Sequence, residues 1–219
     1  MQGVLKKLSG YTWKPAVKFY LRSARAYAID SITLQIDPGV FHPGFFFSSK
    51  EMYRYLDTLE LKGKKIIEIG CGSGLLSILA AKKGADVSAV DISGKAIRCA
   101  EGNFGKNKVQ VKLFHSDIFD AVPEGEFDLV IVNPPYFPSD PVSDEDHAWY
   151  AGKEFQFFEK LFSQSVTRLR PGAEMLLVLS DECDVNRIFV PATKAGLKYS
   201  LVKSRKNFWE RILLYKVNQ

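Results

Sequence analysis

Cysteine and histidine are scarce in this chain. Its 219 residues hold three of each, Cys71, Cys99 and Cys183 with His42, His115 and His147. They are too few and too widely spaced for a disulfide framework or a zinc site. Each histidine, isolated in the sequence, is read as a packing or surface residue rather than a catalytic base. Long apolar runs are missing too: none approaches the roughly 20 residues that a membrane span needs. The opening stretch MQGVLKKLSGYTWKPAVKFYLRS has no apolar core of the signal-peptide kind. Internal repeats and low-complexity tracts are also absent. The expectation is a soluble, cytoplasmic protein with no metal and no membrane contact.

What is present is enough apolar residue, 46%, for one substantial core. Charge is unevenly spread. Residues 1–36 carry six Lys/Arg (Lys6, Lys7, Lys14, Lys18, Arg22, Arg25) against Asp30, and residues 191–219 carry seven (Lys194, Lys198, Lys203, Arg205, Lys206, Arg211, Lys216) against Glu210. The two ends together hold +11 and the middle −6. If both ends lie on one face, they offer a surface for RNA, a ribosome or an acidic protein; otherwise they are ordinary solvated charge.

From Lys64 onward, short β-type runs alternate with helix-type runs, the pattern of a parallel sheet covered by helices. KKIIEI reads as a strand, LLSILAAKK as a helix, DVSAVD as a strand and GKAIRCAEGNFG as a helix. VQVKLFH and FDLVIV continue the strands, and KEFQFFEKLFSQSVTRL reads as one long helix whose Phe155, Phe158, Leu161, Phe162, Val166 and Leu169 recur at helical spacing. RPG is expected to break that helix before the strand EMLLVLS, and a further helix is expected over Asp184 to Ala195. LKYSLVKS and WERILLYKV suggest an antiparallel pair at the sheet edge. Before Lys64, KPAVKFYLRSARAYA suggests a helix, SITLQI a strand, and DPGVFHPGFFFSS a loop leading into the helix KEMYRYLDTL.

IIEIGCGSGLLS places Gly70, Gly72 and Gly74 between a strand and a helix, where glycine permits a tight turn and close approach of a ligand. A dinucleotide site would want its third glycine one place later, where Leu75 stands, so the loop leans away from pyrophosphate binding and from a dehydrogenase. Asp91 ends the next strand, where a carboxylate can accept from both hydroxyls of a ribose or simply cap a turn. Asp117, in SDIFD, follows the third strand in the same way. Open α/β sheets bind ligands along that edge. FDLVIV then stops at Asn133-Pro134-Pro135-Tyr136, two prolines that lack N–H groups and free the neighbouring carbonyls.

Together, EIGCGSG, AVD, SDIFD and NPPY, in this order and spacing, resemble the class I S-adenosylmethionine-dependent methyltransferases, and within them the small methyltransferase group with an Asn-Pro-Pro-Tyr signature. The match runs from about Val40 to the C-terminus, which makes 40–219 the catalytic domain and 1–39 a basic extension with a helix and a strand. The resemblance implies an α/β, Rossmann-like seven-stranded mixed sheet with helices on both faces and the last strand antiparallel. It implies S-adenosylmethionine as cofactor: Gly70 to Gly74 holding its methionine part, Glu68 reaching its amino group, Asp91 and the adjoining Ile92 at the ribose. Asp117 and the backbone of Ile118 then read the adenine edge, and Asn133 also borders the cofactor.

A planar NH₂ group is a poor nucleophile because its lone pair is delocalised, and it gains positive charge as it attacks a methyl group. Acceptors aimed at its hydrogens hold it in line and stabilise that charge. The resemblance assigns these roles to the side-chain oxygen of Asn133 and the carbonyl of Pro134, with the ring of Tyr136 stacked on the flat substrate group.

SDIFDAV, NPPYFPSD and the run from Ala151 to Ser180 resemble protein glutamine N5-methyltransferases acting on release factors, whereas GVFHP followed by SS is shared with RNA guanine-N2 and adenine-N6 methyltransferases. Residues 1–39 are too short for the helical recognition domain of the bacterial release-factor enzymes, which leaves the substrate open. The leading expectation is methylation of a glutamine amide in a release-factor-like protein. An RNA base is the alternative, and a silent cofactor-binding partner subunit is a third reading that the intact Asn133 and Tyr136 disfavour. An activating partner subunit is left open.

Overall fold

The alternation expected from Lys64 onward is present in the computed structural model, which describes residues 23–207 and 210–219. Strands β3 (Lys65–Ile69), β4 (Asp86–Asp91), β5 (Lys112–His115), β6 (Phe127–Val132) and β7 (Leu169–Ser180) run parallel. Helices α2 (Leu75–Lys82), α3 (Gly94–Lys106) and α4 (Gln156–Ser165) connect them. After α5 (Val185–Lys194) come β8 (Lys198–Lys206) and β9 (Arg211–Asn218), and β9 pairs antiparallel with both β7 and β8. The sheet order is β5-β4-β3-β6-β7-β9-β8, the expected seven-stranded mixed sheet, with the antiparallel strand one place in from the edge.

The central strands are apolar because both of their faces are covered. Ile66, Leu129, Ile131, Leu176 and Val178 point into one buried layer; Ile67, Ile69, Val130, Val132 and Leu177 point into the other. The period-two alternation of a strand sends neighbours to opposite sides. The first layer is completed by α1 (Phe47–Asp57), α2, α3 and a hairpin of β1 (Arg25–Ile29) and β2 (Ile32–Ile36). The second is completed by α4 and α5, with Phe158, Phe162 and Phe189 fully buried. Among the described residues no helix is long and apolar enough to cross a membrane.

Several local expectations are corrected. The helix expected over 14–28 lies outside the described residues as far as 22, and its end, Arg25 to Ala28, is strand β1. Cross-strand pairing with β2 decides this, and β2 is itself held on its free side by the α3 asparagines, with Asn103 Oδ1 accepting from Gln35 N at 2.8 Å. Of the basic N-terminal residues, Lys6, Lys7, Lys14, Lys18 and Arg22 also lie outside the described range. The expected strand VQVKLFH shortens to Lys112–His115, because Val109 N turns back to bond Phe104 O at 3.1 Å. α1 starts at Phe47, three residues early, and so takes Ser48 and Ser49 out of the predicted loop.

The long helix expected over 153–169 is the ten-residue α4. Left-handed Gly152 and Phe155 turn the chain just before it, and Leu169, though in step with the helical stripe, opens β7 by pairing with Phe127. Arg170-Pro171-Gly172 therefore sits inside a strand as a bulge, where the register shifts from Phe127↔Leu169 to Leu129↔Glu174. Proline without an N–H and glycine at φ +79° suit a bulge as well as a helix end.

Candidate active site

Because β4 and β5 lie on one side of β3 and β6 on the other, a crevice opens at the carboxyl ends of β3 and β6, where the strand order reverses. A cavity of about 410 Å³ fills it. Glu68, Gly70, Gly72, Asp91, Ile92, Asp117, Ile118, Asn133, Pro134 and Tyr136 all line this cavity. Gly74 does not. It ends the loop at φ +82°, and a Cβ there would stand 2.5 Å from the Phe104 ring, so this glycine serves the close packing of loop on α3.

The loop is tied to β4 by Gly70 N and Cys71 N, which both donate to Val90 O at 2.9 Å. Asp91 extends the tie: Gly72 N donates to its Oδ2 at 2.8 Å and Ser93 N to its Oδ1 at 2.9 Å. Each carboxylate oxygen keeps a lone pair for a further donor. Burial pushes the Asp91 carboxyl up, and the Ser93 and Gly72 amides hold it down. Glu68 accepts from Ser77 N at 2.8 Å and from the Ser77 hydroxyl, both on Oε2, and no described residue donates to its Oε1. Desolvation pushes Glu68 up to about 8, against the pull of Ser77. A cation meeting Oε1 would reverse that shift.

At the end of β5, Asp117 is not alone. Lys160, from α4, donates to Asp117 Oδ2 at 2.5 Å and to Asp120 Oδ2 at 2.6 Å. Ile118 follows at φ +56°. His115, read as a packing residue, bonds Ile92 O through Nε2 at 2.8 Å and so joins the ends of β4 and β5. The acceptor set fits S-adenosylmethionine: a buried carboxylate with a spare oxygen for an ammonium, a second with spare lone pairs for a diol, and a third beside a left-handed backbone turn for a base edge.

On the β6 side, Asn133 Nδ2 donates to Ser49 Oγ at 3.1 Å. Tyr136 packs against the α4–α5 layer, and burial raises its hydroxyl pKa, with Glu210, Cys183 and Glu182 adding to the rise. The acidic stretch after it folds back across the cavity as a strap. Phe137 N bonds Trp149 O and Ala151 N bonds Phe137 O, each at 3.0 Å. The strap is then fastened to α3 by Ser93 Oγ donating to Asp144 Oδ2 at 2.8 Å and by Lys95 against Glu145 at 3.2 Å. Trp149 rests against Phe46 and Phe41, at 5.1 and 5.5 Å between ring centres.

Ser77 and Lys160 were not singled out by sequence reasoning, and Ser49 entered only as part of the SS that follows GVFHP. Ser77 lay within reach of it, being one helical turn into the helix after the glycine loop and facing back toward Glu68. Lys160 carried no local signal, and nothing local linked Ser49 to Asn133, since each meets its partner across more than 40 positions of chain.

A family model described as methyltransferase small domain matches residues 31–209. A putative protein N5-glutamine methyltransferase of Methanocaldococcus jannaschii is 38% identical over 112 residues, 51% of this chain and 54% of that protein. The match therefore spans about half the length of that curated relative. A T. thermophilus 16S rRNA N2 methyltransferase in complex with AdoMet and guanosine superposes with a TM-score of 0.64 at 22% identity, covering 87% of this chain and 49% of that one. The E. cuniculi Mtq2–Trm112 complex, responsible for methylation of the termination factor eRF1, gives 0.61 at 18% identity over 83% of this chain and 99% of that one.

Proposed function

Since the chain belongs to the methyltransferase small domain family and carries an S-adenosylmethionine-dependent methyltransferase domain, we propose that it methylates a planar nitrogen, the side-chain amide of a protein glutamine. The observation that carries the reading is the orientation of Asn133. Its Nδ2 is taken up by Ser49, so Oδ1 remains as the acceptor in the cavity.

The cofactor supplies an electrophilic methyl group on a sulfonium. Glu68, Asp91 and Asp117 would hold its amino group, ribose and base. Asn133 Oδ1 and the Pro134 carbonyl would accept the two hydrogens of the target NH₂, aim its lone pair at the methyl carbon and stabilise the positive charge that grows on nitrogen as the carbon–sulfur bond breaks; the cofactor would leave as the neutral thioether and one N–H proton would pass to solvent. The strap and Tyr136 keep water from the transfer point.

Burial is the main cause of the raised Tyr136 pKa and Glu210, Cys183 and Glu182 add to it; carboxylates beside the acceptor side suit a peptide better than a phosphate backbone. The resemblance to a glutamine methyltransferase supports the same choice, and the Mtq2–Trm112 neighbour, a complex of two proteins, supports looking for a partner subunit. The test is incubation with labelled cofactor and whole-cell extract. Label recovered on a glutamine by mass spectrometry is the expected result; label confined to RNA transfers the assignment to a base.

A further inference from the structure

We infer that Lys160 is a positioning residue for the base of the cofactor, acting through Asp117; the inference rests on the adenine role proposed for Asp117. Adenine presents an amino group beside a ring nitrogen, so the edge that reads it must set an acceptor next to a donor. In the turn after β5 these are the Asp117 carboxylate and the backbone N–H of Ile118, which stands at φ +56°. The Asp117 side chain is 45% exposed, and the turn, closed by Asp120 N on Asp117 O at 3.2 Å, brings a second carboxylate beside it. Two like charges so close push apart unless a cation holds both.

Lys160 is that cation. Its Nζ donates to Oδ2 of Asp117 and to Oδ2 of Asp120, and among the described residues nothing else donates to the Asp117 carboxylate. An ammonium has hydrogens and no acceptor, so it can only donate; whichever oxygen of Asp117 it takes, the other is left as an acceptor in the cavity that both residues line. Gln164, one helical turn on, holds the rest of the turn: its Nε2 donates to Asp120 Oδ1 at 2.8 Å and its Oε1 accepts from Phe119 N at 3.2 Å. Both side chains stand on α4, which is anchored by buried Phe158, Leu161 and Phe162. Gln164 thus fixes Asp120 and the backbone, whereas Lys160 alone fixes Asp117, and the two duties can be separated. The Lys160–Asp117 pair is partly open to water and contributes little by itself, but a base seated on it would displace that water and strengthen it.

The test compares, by calorimetry, the binding of S-adenosylhomocysteine and of its 6-deamino analogue, which keeps the purine ring and lacks the amino group. Wild type should prefer S-adenosylhomocysteine by about ten- to hundredfold, the range for a hydrogen bond to a charged group. Lys160→Met should weaken S-adenosylhomocysteine by about five- to tenfold and leave the analogue within about twofold, so that the preference shrinks. Lys160→Arg, which can bridge both carboxylates, should keep most of it. Lys160→Ala repeats the comparison if Met disturbs the fold, and Gln164→Ala should move both ligands together. An unchanged preference in Lys160→Met, an equal loss for both ligands, or an equally large collapse of the preference in Gln164→Ala overturns the positioning role. If Asp117→Ala keeps the wild-type preference, the adenine reading of Asp117 fails first and takes the inference with it, which separates the two failures.

Discussion

The two sides of the β3–β6 crevice are held by different kinds of contact. On the β3–β4 side, Glu68 and Asp91 take their hydrogen bonds from Ser77, Gly72 and Ser93, at separations of 9, 19 and 2 residues. Those contacts close within one contiguous β3–α2–β4 segment and the turn after it, so the carboxylates are set as soon as that segment forms. On the β6 side, Asn133 is hydrogen-bonded to Ser49 of α1 and covered by a strap that is fastened to α3. That side is complete only when the whole molecule is assembled. Cofactor and acceptor positions should therefore respond separately to substitution.

The largest expected effect tests that separation directly. Asn133→Ala should lose two or more orders of magnitude in turnover, as when an electrostatic stabiliser is removed, while cofactor affinity by calorimetry stays within about twofold. A parallel loss of affinity would mean that the two sides are not independent.

The β3 side carries a pH signature. Glu68 has its folded pKa raised to about 8 by burial. The folded protein therefore keeps a proton that the unfolded chain releases near 4.5. Stability without cofactor is full below that value, falls as pH rises toward about 8, and is level above it, a change on the order of a few kcal/mol. Denaturation at pH 5 and pH 8.5 should show the fall, and Glu68→Gln should flatten it; equal slopes in the two proteins would place the titration elsewhere. Binding of a cationic cofactor at neutral pH should release a proton, detectable as a calorimetric heat that depends on the buffer.

Asp91→Ala should weaken cofactor binding by roughly 2–3 kcal/mol, the range for charge-assisted contacts, with added loss from freeing the Gly72 and Ser93 amides. Asp91→Asn keeps an acceptor and should fall between the two. An affinity equal to wild type in Asp91→Ala would remove the ribose assignment.

The same contrast explains what could be read in the chain. Gly70, Gly72, Asp91 and Asp117 were legible because a βα loop leaves its glycines and its strand-end acid in fixed sequence positions. Asn133 was legible because two prolines punctuate the end of a strand. Ser49 was visible only as part of the SS after GVFHP, and its contact with Asn133 was not legible, since the partner is remote. Leu169 kept the period of α4, yet pairing with Phe127 drew it into β7, and the breaker RPG became a bulge. The strap's Asp144 and Glu145 fasten the cover through Ser93 and Lys95, contacts that no local pattern in the sequence announces.

The smallest expected effect lies farthest from the acceptor. β8 is an edge strand with Lys198, Lys203, Arg205 and Lys206 along it, and edge lysines guard against pairing with other chains. Arg205 has a further duty, since it meets Glu51, whose Oε2 is buried without a hydrogen-bond partner among the described residues. Reversing Arg205 would set two carboxylates together and confound the result, so the probe is Lys203→Glu with Lys206→Glu. If a glutamine-bearing protein is the substrate, this pair should cost less than about tenfold in kcat/KM and leave cofactor affinity unchanged. An RNA substrate tracked by these lysines would respond far more strongly, and its binding would weaken steeply between 50 and 200 mM salt, because each neutralised phosphate releases counterions. A loss well beyond tenfold in a folded, cofactor-binding double variant, with RNA labelled only by wild type, would move the acceptor side of the comparison from peptide to nucleic acid while leaving the β3–β4 side as described.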